Sequence, residues 1–250
     1  MTVKTSFGKF ADVWDGKVGD KGVVSSQETV KATLKLLGSI RGKNIYEVAC
    51  GNGFLARKLI RGGAKEVYAS DISQELIDIA KTRYDVHNII YSTREAIDFK
   101  KLPKNYFDAV VIHQGIFYIK NINSLMQGVA SILKQNGVII FTIQHPLSHV
   151  SKRDIGIKSA TGEPIDLIKE GRRYLNNYGK VMHNKWLVRG KTSEVTYFIY
   201  RRPMSYYINM AGKHGLFVQS IVESKSQALI RGKLKKSNIP GSLIIKAVKV

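Results

Sequence analysis

Residues 44–71 constrain this chain more than any other stretch. Ile45, Tyr46, Val48 and Ala49 form a short apolar run that predicts a buried strand. Gly51 and Gly53 fall in the turn that follows, and Phe54, Leu55, Leu59 and Ile60 then recur at helical spacing. Gly62 and Gly63 stop that helix, as a glycine just past a helix C-terminus does. A second short strand, residues 67–69, ends at Asp71. A strand, glycine turn, helix, strand and acid in this order form the unit that holds an adenosine-bearing cofactor in open α/β sheets.

The same residues bear on which cofactor that is. Gly51, Gly53 and Ala56 match the Gly-x-Gly-x-x-Ala pattern of nicotinamide and flavin proteins. Glu47 argues the other way. A pyrophosphate on this turn would face its carboxylate, and no Lys or Arg lies between Asn44 and Leu55 to offset the repulsion. A cofactor with a cationic amino acid end has the opposite preference. S-adenosylmethionine, with its ammonium and sulfonium, is of that kind.

The run Glu47-Val48-Ala49-Cys50-Gly51-Asn52-Gly53 resembles the first motif of the class I S-adenosylmethionine-dependent methyltransferases, with Ala49 where that family has its first glycine. Alanine still leaves room for close approach of a ligand. Asp71 falls where the family places the acid that accepts hydrogen bonds from both ribose hydroxyls, with Ile72 following it. Glu95-Ala96 stands where the family often has Asp-Ala beside the adenine, and Asp98 is a rival for the acid. The resemblance thus implies cofactor contacts at Glu47, Ala49, Gly51, Asn52, Gly53, Asp71, Ile72, Glu95, Ala96 and His113. It implies S-adenosyl-L-methionine as cofactor and S-adenosyl-L-homocysteine as product. Without it, Glu47 reads as a solvated strand end, Asp71 as the cap of the next helix and Glu95 as an exposed loop acid.

A length of 250 residues with 44% hydrophobic side chains supplies an ample core for one α/β domain or for a domain with an insertion. The strongest apolar run, residues 138–143, is far shorter than the roughly 20 residues a bilayer needs. The N-terminus lacks the apolar stretch of a signal peptide. Cys50 is the sole cysteine, so an intramolecular disulfide and a thiolate metal cluster are excluded; it reads as a small turn residue. The expectation is a cytoplasmic protein without a metal.

The net charge is +21 and unevenly spread. Residues 206–250 hold eight basic side chains against one acidic one. Such a field attracts polyanions or acidic substrates. A lysine-rich surface with no partner reads the same way.

Along the chain, residues 1–25 form an irregular arm in which Phe10 and Trp14 are candidates for a lid or for core packing. Ser25 or Ser26 can cap a helix over 27–38, ended by Gly38. A helix from Ser73 to about Tyr84 and a strand over 88–91 follow. Phe107-Asp108, an aromatic–acid pair common in the resembling family, opens a fourth strand that ends at His113. Ligands bind beyond the carboxyl ends of such strands, so His113 can border the transferred methyl or order the substrate, and Tyr118 can close the same pocket. A helix over 123–134 and a turn at Asn136-Gly137 lead to the fifth strand, which ends in Gln144-His145-Pro146. His-Pro at this strand end recurs in small-molecule methyltransferases of this type. His145 can take a proton there at neutral pH, or only orient the loop.

Residues 147–195 are polar, basic and too long for a plain connection. They read as an inserted cap in which Arg172, Arg173 and Lys185 can hold a carboxylate or phosphate. Tyr174, Tyr178 and Trp186 among these bases also suit single-stranded nucleic acid. A strand at 197–200 and Arg201-Arg202-Pro203 then open a helix. Related proteins often read His-Arg-Pro or His-Arg-Thr here, so Arg201 replaces a common histidine. Residues 216–222 and 242–248 are two final strands, one antiparallel in the family, with Lys233, Lys235 and Lys236 on a loop between them.

These readings combine into a single α/β domain over 1–250. It has a Rossmann-like, seven-stranded, mostly parallel sheet, helices on both faces, an N-terminal arm and an inserted cap. The expected activity is methyl transfer from S-adenosylmethionine to O or N of a small, possibly acidic acceptor, with His145 and His113 nearest the chemistry. An RNA methyltransferase using the basic C-terminal half is the main rival, ahead of a Rossmann-type oxidoreductase. No feature of the sequence indicates an oligomeric state or a membrane partner.

Overall fold

The computed structural model describes Ala11, Asp15 and residues 27–83, 86–146, 182–189, 194–230 and 233–250, with backbone alone at 83, 182–189, 194–198, 225–230 and 233–239. Its elements run α1 (Gln27–Leu37), β1 (Asn44–Val48), α2 (Phe54–Arg61), β2 (Glu66–Asp71), α3 (Gln74–Arg83), β3 (Ile89–Thr93) and β4 (Phe107–Ile112). A 3-10 turn (Ile116–Tyr118), α4 (Ile122–Ile132), β5 (Leu133–Gln144), β6 (Met182–Arg189), β7 (Glu194–Arg201), α5 (Met204–Gly212), β8 (Leu216–Ile230) and β9 (Lys233–Lys249) complete the order.

Seven strands form one sheet in the order β3-β2-β1-β4-β5-β9-β8. Strands β1 to β5 pair in parallel, while β9 runs antiparallel to both β5 and β8. The order reverses direction at β1, whose neighbours are β2 and β4. A crevice opens there, beyond the carboxyl ends of the strands. The glycine turn leaves β1 at that point.

Alternation along the strands divides the core into two layers. Tyr46, Val48, Val110, Ile112, Phe141 and Ile245 pack on one face with α4 residues such as Leu125 and Val129 and with Tyr207 of α5. Ile45, Ala109, Val111, Ile140 and Ile244 pack on the other with Val30 and Leu37 of α1, Leu55 and Leu59 of α2, and Ile77 of α3. The apolar runs in the sequence are nearly continuous because helices cover both faces of the sheet. Asp108 explains the acid at the start of β4: its carboxylate accepts the Asn44 amide at 2.9 Å and the Lys134 ammonium at 2.8 Å. It thereby joins the lower ends of β1 and β4 to β5.

Several expectations change in detail. The helix expected over 123–134 ends at Ile132, and Leu133 already belongs to β5, opposite Phe107. Lys233, Lys235 and Lys236 do not lie on a loop. The last two strands are far longer than their apolar runs, and these lysines pair across the hairpin with Ile230, Ala228 and Gln227. Backbone hydrogen bonding extends the ladder through residues too polar to announce a strand.

The arm and cap are described only in part. Phe10, Trp14, Ser25, Ser26, Arg172, Arg173, Tyr174 and Tyr178 lie outside the described residues. Strand β6, which carries Lys185 and Trp186, pairs antiparallel with β7 in a separate two-stranded sheet. Among the described residues, no helix is long and apolar enough to cross a membrane, and no group of His, Cys, Asp and Glu is placed to hold a metal ion.

Candidate cofactor and acceptor site

The turn after β1 is built from unusual backbone. Ala49, Gly51 and Gly53 all adopt positive φ, at 56°, 57° and 75°. Gly53 has a further reason to lack a side chain. A Cβ there would meet ring carbons of Tyr91 at 2.7–2.8 Å, so the β3 tyrosine packs directly onto the turn. Ala49 occupies a conformation that favours glycine, and its Cβ faces Gly115, where a second Cβ would stand 2.7 Å away. The turn and the segment after β4 therefore touch at two small residues.

Glu47 is not a solvated strand end. It is 2% exposed, and its Oε2 has no hydrogen-bond partner among the described residues. Burial pushes its pKa up to about 8, although the Ala56 amide and the Arg57 guanidinium pull the other way. Nearby Asp71 adds to the rise, so the two acids sense each other across the turn. Asp71 is buried as well. Its Oδ2 accepts the Gly51 amide at 2.8 Å and its Oδ1 accepts the Ser73 amide at 3.0 Å. Burial raises its pKa, opposed by amide hydrogen bonds from Ser73, Gly51 and Ile72. The cap of α3 is supplied by Ser73, whose Oγ accepts the Leu76 amide at 3.2 Å. Asp71 thus ties the glycine turn to the end of β2.

Sequence inspection missed two members of this cluster. Arg57 is wholly buried, and its guanidinium donates to the Asn52 carbonyl at 2.6 Å. It lies two residues past Leu55, the end of the stretch without a base. The absence of a nearby cation therefore no longer argues against a pyrophosphate, and the preference for a cationic cofactor rests on the buried Glu47 carboxyl itself. Asp15, from the arm, accepts the Asn52 amide at 2.7 Å and is also buried. Asn52 in turn accepts the Phe54 amide at 3.3 Å. Its side chain is committed to shaping the turn.

Glu95 and Ala96 lie in the bend after β3, where the Arg94 amide donates to the Asp71 carbonyl at 2.8 Å. Glu95 is exposed, whereas its rival Asp98 accepts the Lys100 amide and sits 3.9 Å from the Arg94 guanidinium. Cys50 is buried in the turn, and burial raises its thiol pKa well above the ordinary value, which removes thiolate reactivity.

Across the crevice stand two histidines and two arginines, all buried. His113 ends β4 with its ring edge-on to Phe54, and neither ring nitrogen has a hydrogen-bond partner among the described residues. Burial lowers its pKa to about 4, so the ring is neutral at physiological pH and a weak proton acceptor. His145 follows β5. Its amide donates to the Gly241 carbonyl at 3.1 Å, and its Nε2 lies 3.2 Å from a Glu223 carboxylate oxygen on β8. A carboxylate on the ring fixes its orientation. Beyond His145, the end of β5 meets the junction of β7 and α5 in a cleft lined by Gln144, Phe117, Tyr200, Arg201, Arg202 and Tyr207. Tyr118, by contrast, packs its ring on Phe117 at 4.6 Å.

Residues 46–141 match the family model described as a methyltransferase domain. A ubiquinone biosynthesis O-methyltransferase from Neisseria meningitidis is 23% identical over 140 residues, covering 54% of this chain and 59% of that protein. The chain spans about half the length of the curated relatives it matches. An S-adenosylmethionine dependent methyltransferase from Mesorhizobium loti superposes with a TM-score of 0.61 at 18% identity, over 90% of this chain and 98% of that one. Magnesium protoporphyrin IX methyltransferase from Synechocystis, solved with bound S-adenosylhomocysteine, gives 0.61 at 17% identity over the whole of both chains. The fold is that of the class I S-adenosylmethionine-dependent methyltransferases.

The methyltransferase-domain match ends inside β5. Everything that forms the basic side of the crevice after Phe141 lies beyond it, including His145, Arg201, Arg202 and Glu223. The match covers the acidic turn and His113, whereas His145, Arg201 and Arg202 on the opposite wall lie C-terminal to it.

Proposed function

We propose that this protein transfers a methyl group from S-adenosylmethionine to an oxygen or nitrogen of a small-molecule acceptor. The observation that carries the reading is the Glu47 carboxyl, buried at the glycine turn with one oxygen unpartnered among the described residues. A buried acid of that kind is costly unless a cation or donor arrives to meet it. The ammonium end of the cofactor meets that need, and Asp71 stands beside it for the ribose.

When bound, S-adenosylmethionine supplies a methyl carbon activated by its sulfonium. The protein has to align an acceptor lone pair with that carbon and exclude water. In this reading Glu47, Gly51, Gly53 and Asp71 hold the cofactor, with Ala49, Asn52 and Ile72 shaping its bed and Glu95-Ala96 at the adenine edge. His113, neutral and unprotonated, borders the reacting groups as a hydrogen-bond partner rather than as a base. His145, oriented by Glu223, takes the proton that the acceptor loses. Asp15 steadies the same bed through Asn52.

Calorimetric titration with S-adenosylhomocysteine and, separately, with NADH tests the reading. Only the thioether is expected to bind, and Glu47→Ala and Asp71→Ala are each expected to weaken it about tenfold or more, roughly 1.4 kcal/mol. NADH binding, or unchanged affinity in both variants, contradicts it. A second reading, methylation of RNA, draws on the lysine-bearing hairpin tip of β8 and β9. It requires RNA binding that weakens steeply with salt.

A further inference from the structure

We infer that the outer end of the β8–β9 hairpin is a peripheral anchor for an anionic lipid surface, because the ladder gathers aliphatic and basic residues in a two-stranded ribbon beyond the carboxyl end of β5. The inference does not depend on the methyltransferase reading.

The neighbouring strand fixes where the ribbon begins. Pairing of β5 with β9 runs from Val138–Val248 to Gln144–Ser242, and the His145 amide then reaches the Gly241 carbonyl at 3.1 Å. From there β8 and β9 continue together, through Lys225–Pro240 to Ile230–Lys233. Among the described residues no third strand accompanies them. The β8 part, residues 225–230, extends roughly 20 Å at the rise of a strand. The register shifts on both sides of Lys225, so irregular pairing marks the point where the ribbon leaves the sheet. That point adjoins the crevice, at the carboxyl end of β5 where His145 stands.

Along the chain, residues 225–240 are merely a polar, basic stretch. The register sorts them. Leu229 stands opposite Leu234 and Ile230 opposite Lys233, at the outermost paired positions, with Ala228–Lys235 and Gln227–Lys236 behind them. Large aliphatic residues thus share the end of the ribbon with lysines. Residues 225–240 contain five basic residues, Arg231 included, and no acidic one. A strand within a sheet sets its aliphatic residues against a second layer, whereas a two-stranded ribbon on its own has no interior for them. Aliphatic residues at the end, with bases among and behind them, match the two parts of a bilayer interface, acyl chains and anionic headgroups. Single-stranded nucleic acid is matched less well. It calls for aromatic rings on which bases stack, and residues 225–240 contain none. A second copy of the chain, at a net charge of +21, is repelled by the same bases. An anchor at this place brings the carboxyl edge of the sheet to the lipid surface, where an amphiphilic acceptor is within reach.

The test sediments the full chain with vesicles of phosphatidylcholine alone and of phosphatidylcholine mixed equally with phosphatidylglycerol, beside a titration with single-stranded oligouridine. The anionic vesicles are expected to bind at least about tenfold tighter than the neutral ones. Lys233→Gln, Lys235→Gln and Lys236→Gln together are expected to weaken that binding about 100-fold, at roughly fivefold per lysine. Leu229→Ser with Leu234→Ser, which leaves the charge alone, is expected to weaken it about tenfold or more. Leu234→Trp is a reporter whose emission is expected to move to the blue on anionic vesicles, relative to the wild type. Urea midpoints matching the wild type show that each variant keeps its fold; where the serine pair does not, the tryptophan variant decides alone. Equal binding to both vesicles, a preference that survives either the lysine or the leucine substitutions, or a tryptophan that does not shift overturns the anchor. Oligouridine binding without vesicle binding overturns it in favour of nucleic acid.

Discussion

The two walls of the crevice are opposite in charge. The β1–β3 wall buries carboxyl groups, Glu47 and Asp71, against a turn of small residues with positive φ. The β4–β9 wall buries bases: His113, His145, Arg201 and Arg202. Burial rather than a charged neighbour is the main force on Glu47 and on His113, so the first rises to about 8 and the second falls to about 4. The acidic wall is improved by a cation that meets the unpartnered Oε2 of Glu47.

The largest effect expected from breaking this contrast is at Gly53. Gly53→Val combines a left-handed backbone with a collision against Tyr91 and is expected to cost about 3 kcal/mol of stability in urea unfolding. On the opposite wall a Cβ at Gly115 would also stand only 2.7 Å from that of Ala49, but there the backbone is not left-handed. Next comes Glu47→Gln. It is expected to weaken S-adenosylhomocysteine about tenfold. The same change removes the penalty of ionising a buried acid. In the wild type, stability is expected to fall as pH rises from the ordinary carboxyl range toward 8, because the folded state holds a proton that the unfolded chain has already released. Glu47→Gln is expected to flatten that slope, and urea titrations at pH 5 and pH 8 measure it. The smallest effect sharpens the geometry of the turn. Ala49→Gly relieves a strained φ but adds freedom to the unfolded chain, and is expected to stabilise by about 0.5–1 kcal/mol.

The acidic wall was legible in the sequence because it is local. Strand, glycines, helix and acid lie within 28 consecutive positions, Asn44 to Asp71, and each has a physical reason to stand where it does. Even there, Arg57 escaped notice. Nothing in the pattern of an amphipathic helix reveals that one of its bases turns back to the Asn52 carbonyl. Asp15 was invisible for another reason, since its contact with Asn52 spans 37 positions. The basic wall depends almost wholly on such distant contacts. Glu223 meets His145 across 78 positions, and Arg202 meets Ile119 across 83. Sheet order brings these residues together, and the order is set by β9 slipping between β5 and β8. The polar length of the β8–β9 hairpin hid that ladder from any test of alternation.

The central claim is that Glu47 is held nearly uncharged until a cation meets it. Proton exchange on cofactor binding tests this directly, by titrating S-adenosylhomocysteine at pH 7 in buffers of different ionisation enthalpy. With the free acid at about 8, close to one proton is expected to be released per molecule bound, and none from Glu47→Gln. Tight binding by the wild type with no proton released, or with a proton taken up, contradicts the account.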